Sequence, residues 1–483
     1  MAPTHAPHLD ARRFLPPGAD GIVPRPGGEF VLYWMQATFR AHDNFALNEA
    51  IAHADALGVP VLVYHGLRAD YPWASDRLHT FILESVVDLA AGFAEKGIQY
   101  AFHLDRRGAG EVAADAARAK ARGAPPPPGA SQSPLVQLAD RAALVVTDYL
   151  PTFIHPRQTR RLRERTATPV VAVDSACLVP MAAHQKEHLA ARGMRTALLK
   201  VLDHHLWPVA NPEPRVRRAV ALPFEPLVPS PEAIPALVAG CAIDHAVPPA
   251  RAIRGGTRAA RARLARFLEA GLHRYADERS DPNEPEAVSG LSPYLHFGNV
   301  SIHEVLLAAR AAGPAAQYDK FQDEALVWRE ISHNFCHWNP RHRTVEGIPA
   351  WAREQLQRHE ADPRPALYTD EELEHARTDD PLWNACQRAY LVDGYMHNYL
   401  RMLWGKAVLA WTPDAASCLR ILEHLNNKYA LDGRDANSYG GIHWTFGKFD
   451  RPFYRRPIYG TVRYQSLRAA EGKFDVRRYI AGK

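Results

Sequence analysis

Two regimes of apolar patterning divide the chain. Up to about residue 200, short β-branched runs alternate with stretches of helical period: FVLYWM at 30–35, VPVLVYHG at 59–66, IQYAFHL at 98–104, LVVTDY at 144–149 and PVVAVDS at 169–175. Between the first two, RAHDNFALNEAIAHADALG spaces its apolar residues along one helical face, and another helix is predicted around 77–95. Continuous apolar runs separated by helices are the pattern of a parallel sheet covered on both faces. The predicted architecture is therefore α/β followed by all-α. An N-terminal extension (1–27) precedes a Rossmann-like open parallel sheet (28–204), a proline-rich interdomain linker (205–230) and a helical domain (231–483). No G-x-G-x-x-G follows the first strand, which argues against a conventional dinucleotide site there. APPPPGASQSP at 124–134 predicts a surface loop, because clustered prolines cannot continue a helix.

From 231 onward the period is helical, in TRAARARLARFLEAGLHRYAD, SIHEVLLAARAA, DEALVWREISHNFCHW, PLWNACQRAYLVDGYM and RMLWGKAVLAW. Strand-type alternation is missing, so loops between helices are expected to supply binding residues. A length of 483 residues suits two domains better than one, and 47% hydrophobic with 23% charged residues is ordinary for a soluble protein. No apolar segment is long enough to cross a bilayer, and the start, MAPTHAPHLDARRF, lacks a secretory apolar stretch. Five scattered cysteines form no CxxC pair, which suggests reduced thiols and a cytoplasmic protein. No Cys/His cluster predicts a metal. The net charge of +5 permits a polyanionic partner without identifying one. Arg217 and Arg218 in the linker read as solvated charge, with DNA contact as the alternative.

Three stretches carry candidate chemistry. In DEALVWREISHNFCHW, Glu324 and Trp328 stand four residues apart and share a helix face. This suits an aromatic base that stacks on the indole and offers its polar edge to the carboxylate. It equally suits a surface glutamate beside a core tryptophan. In YADERSDPNEPEAVSGLSPYLHFGNVS, the Ser-Gly-Leu-Ser-Pro turn can hold a phosphate or simply cap a helix. The third stretch, 383–444, runs WNACQRAYLVDGYMHNYLRMLWGKAVLAW, LNNKYALDGRD and NSYGGIHW. Trp404 and Trp411 lie two turns apart on one predicted helix, Trp383 precedes them, and the polar run Asn426, Asp432, Arg434, Asp435 follows. A tryptophan-stapled core with a polar loop explains the same residues.

Taken together in order and spacing, these stretches resemble the flavin-binding region of the class II DNA photolyases, and the resemblance covers roughly 28–483. It implies FAD as cofactor and light-dependent repair of cyclobutane pyrimidine dimers in DNA by a monomeric protein with no obligate protein partner and no membrane association. Ser289, Leu291 and Ser292 match the segment that wraps the FAD diphosphate, and Arg279 the arginine on the DNA–flavin side. Glu324 and Trp328 match the dimer-contacting glutamate and the tryptophan packed against the lesion, and Trp444 a second aromatic wall. Asn426 matches the asparagine facing flavin N5, and Asp432 a residue that holds the ring. Arg401 and Met402 are expected to line the neighbouring pocket, with Arg434 and Asp435 as a supporting ion pair or an exposed one. Trp404, Trp383 and Trp411 match the electron-relay tryptophans, in that order from the flavin. YWMQATFRAHDNFALNEAIAHA resembles the antenna region; Arg40, Asp43 and Asn44 remain, while Ala37 and Phe39 are less polar than the family pattern. A second antenna chromophore, of no assigned identity, is a further expectation. The alternative to repair is a cryptochrome-like photoreceptor that keeps FAD and the relay but repairs nothing; a DNA-binding protein without photochemistry is the third reading.

Overall fold

Each of the five apolar runs forms a strand. The computed structural model describes residues 10–19, 21–108 and 133–483, so the loop expected at 124–134 lies outside the described residues up to Ser133. The strands are β1 (Arg13–Phe14), β2 (Val31–Met35), β3 (Val61–Arg68), β4 (Gln99–Asp105), β5 (Leu144–Asp148) and β6 (Val170–Val173). Their order across the sheet is β1-β6-β5-β2-β3-β4, all parallel except β1, which runs antiparallel to β6. The first strand lies within the expected N-terminal extension: Arg13 and Phe14 pair with Val173 and Ala172. Two residues are too few to leave a periodic signal. Nearby, buried Arg12 donates to the carbonyls of Asp174, Cys177 and Leu178.

Both faces of the sheet are covered, by different parts of the chain. Phe30, Leu32, Leu62 and Val145 form one buried cluster with Val136, Leu138 and Leu162, and the linker supplies Val220 to it, with Leu222 and Phe224 packed alongside. The linker also exchanges two hydrogen bonds with Gln99 through the backbone of Val220. It is thus a covering segment of the sheet as well as a connection. On the opposite face, Val31, Tyr33, Val63 and Val146 belong to a core that continues into the helical domain through Ile302, Leu306, Leu326 and Phe335. A second core gathers residues between 348 and 480, including Trp383, Trp404 and Trp411. The first half of the helical domain therefore shares its core with the sheet.

Two buried arginines tie the domains together. Arg40 donates to the carbonyls of Asp43, Ser175 and, across the interface, Gly298. Arg77, in the helix Asp76–Glu95, donates to the carbonyls of Pro248, Tyr390, Leu391 and Tyr429. The last three lie at the C-terminal ends of Pro381–Asp393 and Ala415–Tyr429, where the carbonyls of Leu391 and Tyr429 lack intrahelical donors and that of Tyr390 also accepts from the Gly394 N–H.

In an open α/β sheet the usual ligand crevice lies beyond the strand C-termini where strand order reverses, here between β2 and β5. That crevice is filled. Asp148 accepts from the backbone N–H groups of Gln36, Ala37 and Thr38 and from the Tyr33 hydroxyl. The loop around Gly298 docks onto it so closely that a Cβ there would lie 2.5 Å from the Ala37 carbonyl oxygen. About 10 Å³ of cavity remains, room for about one water.

The helical domain follows the predicted segments, with one repeated departure. Asp323–Trp328 forms a π-helical turn between Ala315–Gln322 and Arg329–Trp338, and Phe267–Gly271 forms another after Thr257–Arg266. Single wide turns of this kind often accompany functional sites. Among the described residues no helix is long and apolar enough to cross a membrane, and no group of three or more His, Cys, Asp or Glu is arranged to hold a metal.

Candidate active site

A cavity of about 520 Å³ opens in the helical domain, within the range of small-molecule and cofactor sites. Five parts of the chain wall it. The loop after Tyr275–Glu278 brings Arg279 and then Ser289, Leu291 and Ser292. Gly290 turns that loop with φ +63°, and Arg263 holds it by donating to the carbonyls of Val288 and Ser289. The π turn brings Glu324 and Trp328 to the same cavity. Asn398–Ala410 supplies Arg401, Met402 and Trp404; the end of Ala415–Tyr429 and the loop after it supply Asn426 and Asp432; Ala436–Thr445 supplies Trp444. Residues spread over more than 160 positions thus meet in one chamber.

The polar groups are oriented from behind. Asn426 accepts from the Tyr390 hydroxyl at 3.2 Å and donates to Asn427 Oδ1 at 3.1 Å, which fixes its amide. Arg401 pairs with Asp432 Oδ2 at 2.8 Å and donates to the Met396 carbonyl. Burial opposes the Arg401 charge, but Asp432 and Tyr390 hold its pKa above the ordinary guanidinium value. The other oxygen, Asp432 Oδ1, is buried without a partner. A buried orphan acceptor costs free energy unless a ligand donates to it. Glu324 sits between two cations, 3.1 Å from Arg279 and 2.7 Å from Lys320.

Trp383 and Trp411 do not line the cavity; they lie behind Trp404. Trp383 stacks on Trp404 with ring centroids 6.2 Å apart and planes 8° apart, and meets Trp411 edge-on at 5.6 Å. Trp383 thus bridges the two tryptophans that share the later segment. Exposure rises from 0% at Trp383 to 9% at Trp411.

Arg434 and Asp435 are corrected. They form no ion pair with each other. Arg434 has a left-handed backbone, φ +66°, which turns its buried guanidinium back onto the carbonyls of Asn427, Ala430 and Leu431. It closes the end of Ala415–Tyr429 and does not reach the cavity, and burial lowers its pKa to about 10. Asp435 lines the cavity, caps Ala436–Thr445 and accepts from His296 at 3.0 Å. Burial pushes its pKa up, but the His296 hydrogen bond and the nearby His333 and Arg329 bring it below the usual carboxylate range.

Several cavity residues escaped sequence reasoning, among them Tyr390, Tyr395, His296 and Ser438. The pair Gly440–Gly441, inside a helix, was the available signal. A Cβ at Gly440 would lie 2.2 Å from Ser332 Oγ, so glycine lets Ala436–Thr445 approach Arg329–Trp338. The C-terminal arginines stack mainly on their own aromatics, Arg463 on Phe453 at 4.3 Å and Arg456 on Tyr464 at 5.4 Å, while Tyr454 is 93% exposed.

Residues 31–215 match the family model described as DNA photolyase. The chain is 34% identical over 462 residues to the deoxyribodipyrimidine photo-lyase of Methanothermobacter thermautotrophicus, covering 95% of this chain and 96% of the relative. It is 34% identical over 468 residues to the deoxyribodipyrimidine photo-lyase of Oryza sativa subsp. japonica, covering 95% and 88%. An archaeal photolyase from Sulfolobus tokodaii, solved with two FAD molecules, superposes with a TM-score of 0.61 at 16% identity, covering 94% of this chain and 89% of that one, a likeness of fold. Full-length identity at this level, with a sheet and a helical domain in the same order, establishes that the chain belongs to the DNA photolyase family, whose members named here are deoxyribodipyrimidine photo-lyases.

Proposed function

We propose that the protein repairs cyclobutane pyrimidine dimers in DNA with light, in the manner of the class II enzymes, using FAD held in the 520 Å³ cavity. The observation that carries this reading is one chamber lined both by a polar set suited to a flavin (Asn426, Asp432 with Arg401) and by a carboxylate and two indoles suited to a lesion (Glu324, Trp328, Trp444). The orphaned Asp432 Oδ1 fits the cofactor, because the flavin ring edge carries an N–H that can donate to it. When bound, reduced and photoexcited FAD supplies the electron that splits the cyclobutane ring and takes it back afterwards.

The chain's own residues would orient and enclose. Ser289, Leu291 and Ser292 would hold the diphosphate end, and Arg401, Met402, Asn426 and Asp432 the ring. Trp404, with Trp383 and Trp411 behind it, would deliver electrons that bring FAD to its reduced form. Trp328 and Trp444 would receive the extruded dimer, offsetting part of its unstacking cost. Glu324, held by Arg279 and Lys320, would meet the polar edge of the dimer. The crevice between β2 and β5 does not fit a second chromophore, since about 10 Å³ remains there, and no role for one is assigned.

The test is dimer reversal on a defined oligonucleotide by the fully reduced protein, in light and in darkness. Light-dependent recovery of the pyrimidine bases is expected. No turnover by fully reduced protein would refute repair and leave the photoreceptor reading standing.

A further inference from the structure

Trp444 differs from the relay tryptophans in what surrounds its ring. Lys406 Nζ lies 5.0 Å from the ring centroid and Arg463 Cζ 5.7 Å. Arg463 is neutralised by Asp450 at 2.7 Å. Lys406 is fully buried, donates to the Thr445 carbonyl at 2.7 Å, and has no carboxylate in salt-bridge contact among the described residues. It projects from Asn398–Ala410, the helix that also carries Arg401 and Trp404. The relay indoles face the opposite environment. Trp404 donates its ring N–H to Gln387 Oε1 at 3.1 Å, and Trp383 donates to the Trp404 carbonyl at 3.1 Å. Among the described residues no cation lies over either ring.

A positive charge beside an indole makes removal of an electron from it harder, and favours an electron arriving on a group stacked against it. An N–H···O bond to a carbonyl or amide oxygen acts the other way, stabilising the oxidised ring. We propose that Lys406 is a positioning residue for charge, whose buried ammonium makes the Trp444 end of the cavity reject oxidation and favour an electron arriving on the lesion. Oxidation is thereby directed into Trp404, Trp383 and Trp411. This rests on the flavin reading above. In electrons, with oxidised flavin bound and excited, Trp404 would give up one electron and be refilled from Trp383, Trp383 from Trp411, and Trp411 from an added thiol. One electron taken from Trp444 instead would strand the vacancy beside the lesion.

The charge on Lys406 can be switched by pH. Burial lowers its pKa to about 7; Asp450 opposes this, and Arg463 adds to it. The groups facing it are Asp450 and Arg463, paired with each other, Cys418 of Ala415–Tyr429, whose thiol burial pushes well up, and Tyr459, whose hydroxyl donates to the Lys406 carbonyl and is likewise pushed up by burial. Lys406 is therefore the group that changes between pH 6 and 9: charged below about 7, neutral above.

The test uses FAD-loaded protein with oxidised flavin and Trp404→Phe, so that the relay is cut. Flavin excited-state lifetime and tryptophan radical yield are read by transient absorption. Adding Lys406→Met at pH 6 is expected to shorten the lifetime at least about threefold, because Trp444 becomes a donor. Adding Trp444→Phe as well should restore it, which separates Trp444 from Trp328 as the source. With Lys406 intact, raising the pH from 6 to 9 should shorten the lifetime in Trp404→Phe but not in Trp404→Phe/Trp444→Phe; this arm serves if Lys406→Met does not fold. A lifetime in folded, flavin-loaded protein that ignores both Lys406→Met and pH overturns the proposal. A chain that takes up no FAD overturns the flavin reading, and this inference with it.

Discussion

Replacing Arg77 by methionine removes the clamp between the sheet and the helical domain while keeping a long apolar stem. Three carbonyls lose their donor, Pro248, Leu391 and Tyr429, while that of Tyr390 keeps the Gly394 N–H. Burial lowers the Arg77 pKa to about 10, so the guanidinium is charged at neutral pH and its bonds are charge-assisted. An orphaned buried acceptor costs at least about 1 kcal/mol, so the three together cost about 3 kcal/mol. The unfolding entropy of about 2.1 cal/mol/K per residue, taken over 483 residues melting as one unit, is about 1 kcal/mol/K. The expected fall in melting temperature is therefore about 3 °C. Arg77→Lys keeps the charge but reaches fewer carbonyls, and should fall by about half as much. Scanning calorimetry reads the shift, and flavin fluorescence reads cofactor release on the same ramp. A methionine variant melting within about 1 °C of the parent would refute the clamp. A new, separate transition for the helical domain would refute the assumption that the shared core melts as one.

Further outcomes follow from the site. Trp404→Phe should slow photoreduction of oxidised FAD by about tenfold or more, yet repair normally once FAD is reduced chemically, as transient absorption and a repair assay can compare. Glu324→Gln should retain FAD and lower repair per absorbed photon by about tenfold, since the carboxyl group that can give a proton to the dimer as its negative charge grows is lost. Trp328→Ala and Trp444→Ala should each lose about 1–3 kcal/mol of preference for damaged over undamaged DNA, measured by competition binding. Asp435 has a folded pKa below its unfolded value, so its stabilisation is complete above about pH 4 and lost as acid protonates it. Asp435→Asn should therefore lower the melting temperature at pH 7 and flatten its fall in acid.

Much of this was legible because it was local. The five parallel strands announced themselves as β-branched runs between helices, and Glu324, Trp328, Asn426, Asp432 and Trp444 as polar or aromatic positions at fixed spacings. What escaped depended on partners far along the chain or on backbone detail. Arg434 stands next to Asp435, which suggested a pair, but its left-handed backbone turns the side chain away. Val220 and Phe224 look like linker until the sheet face they cover is known. The crevice between β2 and β5 offered no hint that Gly298, more than 250 residues from Thr38, would fill it. Lys406 gave no signal either, because an isolated lysine in an apolar helix is informative only once its depth is known.

The π turn at Asp323–Trp328 has a consequence for the history of the chain and for its alteration. Such a turn is one residue longer than the α-helix it interrupts, so removing a single residue, Ala325 for instance, would regularise the helix. That deletion would leave the flanking helices nearly in phase, because the wide turn takes up its extra residue locally, and would shorten the spacing of Glu324 and Trp328 from four residues to three. Phe321, before the turn, would stay in the core, so the change would fall on how the carboxylate is aimed against the indole. Substitutions along this segment are graded changes, whereas a one-residue deletion re-aims the whole pair at once. A relative lacking the extra residue would carry the carboxylate and the indole one position closer, so a gap placed inside this turn marks a re-aimed site and not a lost one.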